Sequence, residues 1–321
     1  MKLSELKALA QKVRVYGDSF SVRNQPELLK LLGMESGMLY QELEMESPYV
    51  DTHRDVSWPG DSVMLHSHSF YELLCCRNTC GAEYLVGTDR YRLQKGDIIL
   101  ICPGVSHCPL LPEHMSEPYT RDVLWINTEF MDAVVQRFPD FLLENSRYSS
   151  LLRTYGTTQD TLSALFHSGV RENEQRAPGW EMAVTGNTIH LLSLLHRAFA
   201  DHSAAPLKAE KPELLDRVLA YVEAHLSEKI TLSDIAHHFY VSESTISQVF
   251  RKKLGVSFYR CVTQRRLIAA KALIGEGRML EQVGEQVGFS DYSSFYRAFK
   301  QEYGISPRQY RKLQESTELD L

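Results

Sequence analysis

The stretch Ile230-Thr-Leu-Ser-Asp-Ile-Ala-His-His-Phe-Tyr-Val-Ser-Glu-Ser-Thr-Ile-Ser-Gln-Val-Phe250-Arg-Lys-Lys-Leu-Gly255 decides how the last third of the chain folds. Its pattern returns 49 positions later in Met279-Leu-Glu-Gln-Val-Gly-Glu-Gln-Val-Gly-Phe-Ser-Asp-Tyr-Ser-Ser-Phe-Tyr-Arg-Ala-Phe299-Lys-Gln-Glu-Tyr-Gly304. Each stretch predicts a short helix, a tight turn and a second helix that stops at a glycine. Two helix-turn-helix units in tandem are therefore expected.

Short polar residues mark where the helices of these units begin. Thr231, followed three positions later by Asp234, has the spacing of a capping box. Ser242 and Ser290 precede the second helix of each unit, and Ser306 precedes a final helix that opens with proline. Residues 258–274 predict one continuous helix between the units. Such a spacer can hold two recognition helices one DNA turn, about 34 Å, apart.

The charge of the chain is unevenly distributed. The net charge is −6, yet residues 208–315 hold 17 Lys and Arg against 13 Asp and Glu, whereas residues 1–207 hold 18 against 26. Between Phe250 and Gly275 seven residues are basic and none is acidic, which favours phosphate contact. The alternative is a solvated helix face. The seven are Arg251, Lys252, Lys253, Arg260, Arg265, Arg266 and Lys271.

The outward residues of the second helices are the candidates for base contact, because one helix fits the major groove. Gln248 can pair with adenine through two hydrogen bonds, Arg297 can do so with guanine, and Ser242 can reach a phosphate. Ordinary solvent exposure is the competing interpretation for each residue. The full set is Ser242, Ser244, Thr245, Ser247, Gln248 and Arg251 in the first unit, and Tyr292, Ser293, Tyr296 and Arg297 in the second.

Residues 211–313 resemble the DNA-binding domain of AraC/XylS transcription regulators. The resemblance is carried by Asp234-Ile-Ala, Val241-Ser, Phe250-Arg-Lys-Lys-Leu-Gly255, Arg265-Arg-Leu-Ile-Ala-Ala-Lys-Ala-Leu-Ile274, Val287-Gly-Phe-Ser-Asp-Tyr-Ser-Ser-Phe-Tyr-Arg-Ala-Phe-Lys300 and Gly304-Ile-Ser-Pro-Arg-Gln-Tyr-Arg311. It implies transcription control, with promoter or operator DNA and RNA polymerase as partners. Gly284 departs from the alanine usual in the family, and glycine there should weaken its helix by about 1 kcal/mol.

The preceding region alternates apolar and polar residues between closely spaced turns, which predicts a small all-β barrel or sandwich. Gly60-x5-His66-x-His68-x3-Glu72 and Gly96-x7-Gly104-x2-His107 resemble the two signatures of cupin barrels. Cys102 and Thr79 depart from the proline and glycine usual there. The expected strands are 39–45, 62–66, 71–77, 83–86, 91–93 and 98–101.

Three interpretations of this second resemblance stay open. The first is a metal-free effector pocket lined by His66, His68, Tyr71, Glu72, His107 and Trp125, whose residue types suit a sugar. The second is a metal site, because the matching positions in metal-binding cupins, here His66, His68, Glu72 and His107, supply ligands for Zn, Mn, Fe or Ni. The third is a set of histidines satisfied by hydrogen bonds inside the barrel.

The expected organisation is a helical extension at 1–36, a cupin-like domain at 37–158, a helical dimerisation region at 159–203, a linker at 204–212 and the DNA-binding domain at 213–313. A helix over 181–202 carries an apolar stripe that can pack either on its own domain or on a second subunit, with a homodimer contact slightly favoured. The six cysteines lack Cys-x-x-Cys spacing and predict free, mostly buried thiols. The N-terminus is too polar for a signal peptide, and no apolar run is long enough for a membrane span, so a cytoplasmic protein is expected.

Together these patterns predict a DNA-binding transcription regulator controlled by a small effector, without a cofactor and without enzymatic activity. One rival is a metal-dependent cupin enzyme or metal sensor joined to a DNA-binding tail. A second rival is a protein-interaction module whose helical half docks a partner protein.

Overall fold

The computed structural model describes residues 45, 47–59, 63, 65–141, 149–153, 161–200 and 211–312. Among these described residues, eight strands lie in the N-terminal half with three helices after strands β7 and β8, and six helices between residues 214 and 303 precede a final helical segment. The strands are β1 Val50–Ser57, β2 Tyr71–Cys76, β3 Glu83–Val86, β4 Asp89–Arg92, β5 Asp97–Ile101, β6 His107–Leu110, β7 Tyr119–Ile126 and β8 Ser149–Arg153. The helices are α1 Thr128–Arg137, α2 Thr161–Gln175, α3 Trp180–Ala200, α4 Leu214–Ala224, α5 Leu232–His238, α6 Glu243–Leu254, α7 Phe258–Gly275, α8 Leu280–Gln286 and α9 Tyr292–Tyr303.

The strands form two antiparallel sheets. The larger has the order β1-β7-β2-β5-β8 and the smaller β4-β3-β6. An apolar core that includes Leu74 and Val123 of the large sheet and Tyr84 and Val86 of the small sheet fills the space between them. The other face of the large sheet packs on α2 and α3, and residues such as Phe166 and Leu192 from these helices form a second core with the sheet.

The expected closed barrel is not confirmed, because the described strands make two separate sheets. The predictions for β2 to β5 were correct to within two residues at either end. The predicted strand 62–66 was wrong over its described part, where His66 forms only an isolated bridge to His107. Strands β1, β6, β7 and β8 and helix α1 were not predicted.

Several expectations lie outside the described residues. They are the helices at 1–36, the strand at 39–45 except for its last residue, and most of the linker at 204–212. The helix predicted at 181–202 is present as α3. Within its stripe, Leu192 and Leu195 are buried in the chain's own core, while Met182 and Ile189 are exposed. All six cysteines are free, and all but Cys102 are buried. Among the described helices, none is long and apolar enough to cross a membrane.

The helix-turn-helix units form as predicted, with two corrections at helix starts: the capping box expected at Thr231 is not complete, because the Asp234 carboxylate accepts from the Thr231 hydroxyl instead of the Thr231 amide, and the cap of α9 differs. Thr231 and Ser242 accept hydrogen bonds from the backbone at the starts of α5 and α6. The N-cap of α9 is Asp291 rather than Ser290, whose hydroxyl donates to the Asp291 carboxylate instead. A carboxylate at this position also interacts favourably with the positive end of the helix. Ser306 caps the final helical segment, 307–312.

Helix α7 belongs to the cores of both units. Its first half supplies Phe258 and Cys261 to the first core, and its second half supplies Leu267 and Ile274 to the second. One helix buried at both ends is a rigid connection, because neither unit can turn without breaking apolar contacts.

Two polar bridges reinforce this connection. Arg266 of α7 donates to the backbone carbonyls of Leu226 and Glu228 and lies over the Phe289 ring of the second unit, 6.0 Å from its centroid. Glu302 of α9 pairs with Arg260 at 2.5 Å and accepts from Gln264 at 3.4 Å. Arg266 therefore joins the loop after α4 to the turn of the second unit, and Arg260 and Gln264 bind the last part of its second helix.

Close packing accounts for Gly284, where alanine was expected. A Cβ atom on this residue would lie 2.9 Å from the Cβ of Phe295. That separation is closer than side chains tolerate, and Phe295 is fully buried. Glycine at position 284 lowers the helix propensity of α8, but it leaves the space in which Phe295 packs directly against that helix.

We expect Gly288→Ala to destabilise the connection between the units. Gly288 has φ +89°, and a Cβ there would overlap the Leu226 carbonyl oxygen and crowd the Arg266 guanidinium. Strain and overlap together should lower the free energy of unfolding by about 2 kcal/mol or more, as measured by urea denaturation. Gly275→Ala is the matched control, since a Cβ there meets open space and helix propensity should leave stability unchanged or raised by up to about 1 kcal/mol. Equal stability of the two variants would contradict the packing described.

Candidate nucleic-acid interface and sensor site

The first recognition helix presents a polar N-terminal end. The Ser242 hydroxyl accepts from the Thr245 amide at 3.1 Å and lies 2.7 Å from the Ser244 hydroxyl. Ser244, Gln248 and Arg251 are exposed, and Thr245 and Ser247 are half-buried. The predicted residues from Ser242 to Gln248 therefore lie together at the N-terminal end of α6, whereas Arg251 lies in its last turn. Ser242 is occupied by capping, and the exposed Gln248 can approach a base edge.

The second recognition helix, α9, repeats this arrangement with larger side chains. Ser293 and Arg297 are exposed, and Tyr296 is half-buried. Tyr292 is 38% exposed because its ring also packs edge-on against Phe295. Arg297 extends from the face opposite the buried Phe295 and Phe299, so its guanidinium is available for a bidentate contact.

The basic segment 250–275 does not form the phosphate-binding block that its sequence indicated. Five of its seven cations make contacts inside the protein: Lys253 pairs with Glu83 and Glu213, Arg260 with Glu302, Arg265 with Glu223, Arg266 with backbone carbonyls, and Lys271 lies over two tyrosine rings. Only Arg251 and Lys252 of the seven are exposed. Most of this charge therefore organises the fold.

A second group of chemically active residues lies between the two sheets. Glu72 comes from β2, His107 from β6, and His68 from the segment before β2. All three are buried, and their ligand atoms lie within 4.8 Å of one another. The Nε2 atom of His107 is 3.1 Å from Glu72 Oε2, and that of His68 is 3.5 Å away.

The two imidazoles are oriented by backbone carbonyls. The Nδ1 of His68 is 2.8 Å from the carbonyl of Phe70, and the Nδ1 of His107 is 2.8 Å from that of Val105. Because a carbonyl only accepts, each Nδ1 carries the hydrogen, and Nε2 is the atom through which either ring, when neutral, can accept from a donor or bind a cation. Neither Nε2 atom nor Glu72 Oε2 has a hydrogen-bond partner. Three electron-rich atoms thus converge at one buried point, an arrangement that a cation or a hydrogen-bond donor would stabilise.

The directions of the pKa shifts show how burial and the neighbouring groups act on His68 and Glu72. Burial lowers the pKa of His68 despite the attraction of Glu72, which keeps the ring neutral near pH 7. Burial alone would raise the pKa of Glu72, but His107 and His68 outweigh it and hold that pKa well below its usual range. The group therefore combines an ionised carboxylate with a neutral imidazole, which is a donor set that Zn²⁺ and similar ions accept.

The other three predicted lining residues have different positions. Trp125 joins the group, since its indole N–H donates to Glu72 Oε1 at 2.8 Å. His66 lies beside it, with its ring centroid 4.2 Å from that of His107. Tyr71 does not join, because it precedes Glu72 on β2 and its side chain packs with the core on the opposite face of the sheet.

Comparison with known proteins bears on the helical half first. Residues 235–313 match the family model described as "Helix-turn-helix domain". The chain is 32% identical over 99 residues to the regulatory protein PocR of Salmonella typhimurium, covering 30% of this chain and only 33% of PocR. It is 24% identical over 285 residues to the transcriptional activator RhaR of Yersinia pseudotuberculosis, covering 84% of this chain and 91% of RhaR. The C-terminal domain of AraT, a response regulator of Geobacillus stearothermophilus, aligns at 30% identity and TM-score 0.31, covering 32% of this chain and 86% of that domain.

The family model and the paired recognition helices define a DNA-binding helix-turn-helix domain at the C-terminal end of the described residues. Residues 235–313 therefore carry the helix-turn-helix domain of the matched family model, in agreement with the resemblance of this region to AraC/XylS regulators. Both PocR and RhaR are named as regulatory proteins.

We expect Glu72→Gln to stabilise the protein when no ligand is present. The glutamine oxygen can still accept from Trp125. Its NH₂ group can donate to an imidazole nitrogen that faces the Glu72 carboxylate in the unaltered protein. The free energy of unfolding in urea with a chelator should rise by about 1 kcal/mol. Glu117→Gln, at an exposed position, should change nothing. A clear loss of stability in Glu72→Gln would mean that the carboxylate is already satisfied by an imidazolium.

Proposed function

We propose that this protein is a sequence-specific, ligand-responsive transcription regulator. Its two recognition helices read successive major grooves of one promoter or operator site, and a small effector bound between the two sheets alters that binding. The observation that carries the proposal is the rigid placement of two exposed, polar helix ends by the single helix α7. RNA polymerase contact and a homodimer built on α3 remain part of the proposal, the latter supported by the exposed Met182 and Ile189.

The effector chemistry follows from the group around Glu72. An ionised carboxylate, two imidazole lone pairs and an indole N–H can hold a ligand that brings hydrogen-bond donors. A sugar hydroxyl supplies such donors, and aromatic side chains such as Phe70 and Trp125 lie alongside. These residues support a carbohydrate as one effector class.

A divalent metal ion is a second candidate effector. The specific observation that favours it is the convergence of Nε2 of His68, Nε2 of His107 and Oε2 of Glu72, each buried and without a hydrogen-bond partner. Their Nδ1–H groups bind backbone carbonyls, as metal-bound histidines commonly do. Under this candidate the three residues hold the ion and His66 lies next to it.

Arg297→Ala should relax base preference at one position of the DNA site. Loss of a bidentate guanine contact costs about 1–3 kcal/mol at that base pair and leaves the other positions unchanged. Duplexes selected from a random pool by the full-length chain, and reselected with the variant, provide the measurement. Arg92→Ala, an exposed arginine on β4 of the sensor region, should keep the original preference. Identical preferences for Arg297→Ala and the unaltered chain would refute base contact by α9.

Thermal unfolding of the full-length chain separates the effector candidates. After chelation, Zn²⁺, Mn²⁺ or Ni²⁺ should raise the midpoint progressively once its concentration exceeds its dissociation constant. The effect should vanish in Glu72→Gln and persist in His190→Gln, which changes an exposed histidine on α3. A midpoint that rises with a sugar and not with ions would establish the metal-free pocket instead.

A further inference from the structure

The smaller sheet has a second face, and that face lies against the DNA-binding region. Neighbouring residues along a strand point to opposite sides. On β3, Tyr84 and Val86 belong to the core between the sheets, whereas Leu85 belongs to a cluster with the helices that follow residue 213. On β6, Cys108 and Leu110 belong to that same cluster. We call this side, with Glu83, Leu85, Arg90, Cys108 and Leu110, the outer face.

The outer face has an apolar centre. Leu85 and Cys108 are paired across β3 and β6 and are almost completely buried. They share a core with Leu215, Val218 and Leu219 of α4 and with Cys261 of α7. The first helix-turn-helix unit therefore buries part of its own hydrophobic core against the sensor region. Such burial is a favourable contact that a freely tethered domain would forgo.

Arg90 forms the polar centre of this contact. Its side chain is only 3% exposed, and it reaches Glu83 on the neighbouring strand at 2.8 Å, Glu213 at 3.0 Å and Asp216 at 3.2 Å. Glu213 and Asp216 form the capping box at the start of α4. The Arg90 cation therefore also lies near the positive end of this helix, and the two carboxylates compensate the unfavourable interaction. This buried cation opposes separation, because undocking would break its pairs with Glu213 and Asp216 and leave it with Glu83 alone.

A second polar contact lies at the turn between β3 and β4. Arg265 of α7 donates to the carbonyl of Gly87 at 2.8 Å and to Glu223 at 2.7 Å. Lys253, in the last turn of α6, lies 3.6 Å from Glu83 and 3.7 Å from Glu213. The outer face thus contacts α4, the recognition helix α6 and the shared spacer α7, while the exposed Gln248 and Arg297 remain outside this contact.

The same strands form one wall of the sensor site. His107 of β6 belongs to the Glu72 group, and Cys108, the next residue, lies in the contact with the DNA-binding region. His107 is held in register by Val86 on one side and by its backbone bridge to His66 on the other. A ligand that draws the His107 ring toward Glu72 therefore acts on a strand whose opposite side touches α4 and α7.

We propose that the outer face docks the first helix-turn-helix unit on the sensor region, and that β6 carries the state of the His68–Glu72–His107 group to that unit through Cys108, with Arg90 positioning the contact. This inference rests on the proposed function, since it names the route by which an effector would change DNA binding.

Hydrogen exchange on the full-length chain tests the docking. Arg90→Met should speed exchange of amides in β3, β4 and α4 by about tenfold or more, because these elements lose a common partner. Glu83→Gln, a milder change, should act in the same direction. Arg153→Met is the matched control, as it removes an arginine that binds Asp97 at 2.9 Å within the large sheet. Unchanged exchange in α4 for both Arg90→Met and Glu83→Gln would overturn the docking.

A double-mutant cycle on DNA binding tests the route. With a duplex selected by the unaltered chain, His107→Gln should change the dissociation constant by about fivefold or more, and this change should disappear when Arg90→Met is already present. Additive effects of the two substitutions would overturn the route while leaving DNA recognition intact. Failure of the unaltered chain to select any sequence would instead overturn the proposed function, so the two failures are distinguishable.

Discussion

The structure of the DNA-binding region depends on helix α7 being buried in two cores at once. Phe258 and Cys261 fix its start in the first unit, and Leu267 and Ile274 fix its end in the second. The bridges from Arg266 and Glu302 then set the rotation of each unit about the spacer. With these restraints, the positions of the two recognition helices follow from one rigid body, because close-packed interiors do not deform continuously.

The same helix links DNA reading to the sensor region. Arg265 and Cys261 face the small sheet, whose inner side holds His107. The sequence predicted that Arg265, Arg266 and Arg260 contact phosphates. In the structure Arg265 instead binds the sensor region, and Arg266 and Arg260 connect the two helix-turn-helix units. The buried Arg90 has the same character: its charge is matched by Glu83, Glu213 and Asp216, and its role is to fix geometry.

The helical half could be predicted from sequence because its signals are local. Caps such as Thr231 and Ser242 and glycine stops such as Gly255 act within one turn of the chain. The misassigned cap at Ser290 arose because Ser290 and Asp291 are adjacent candidates, and only the geometry of the Ser294 amide distinguishes them. The two-sheet topology was harder to predict from the sequence. Strand β7 is buried along almost its whole length, so it lacks the apolar–polar alternation that marks a half-exposed strand.

Contacts between distant parts of the chain had no sequence signal. The pairing of Arg90 with Asp216 spans 126 positions, and nothing near either residue indicates the other. His68, Glu72 and His107 were predicted as a group because a family pattern linked them, whereas Tyr71 was included by proximity in sequence, which strand alternation contradicts. The residues that dock the two halves emerge only from the folded arrangement.

The most direct test of the account is the affinity of the full-length chain for a duplex that it has selected, compared with the same duplex lengthened between its two contacted blocks. An insertion of about five base pairs turns one block to the opposite side of the helix. A spacer held at both ends cannot follow that rotation, so affinity should fall to that of a single contacted block. Equal affinity for the original and the lengthened duplex would contradict the claim that α7 holds two recognition helices in fixed register.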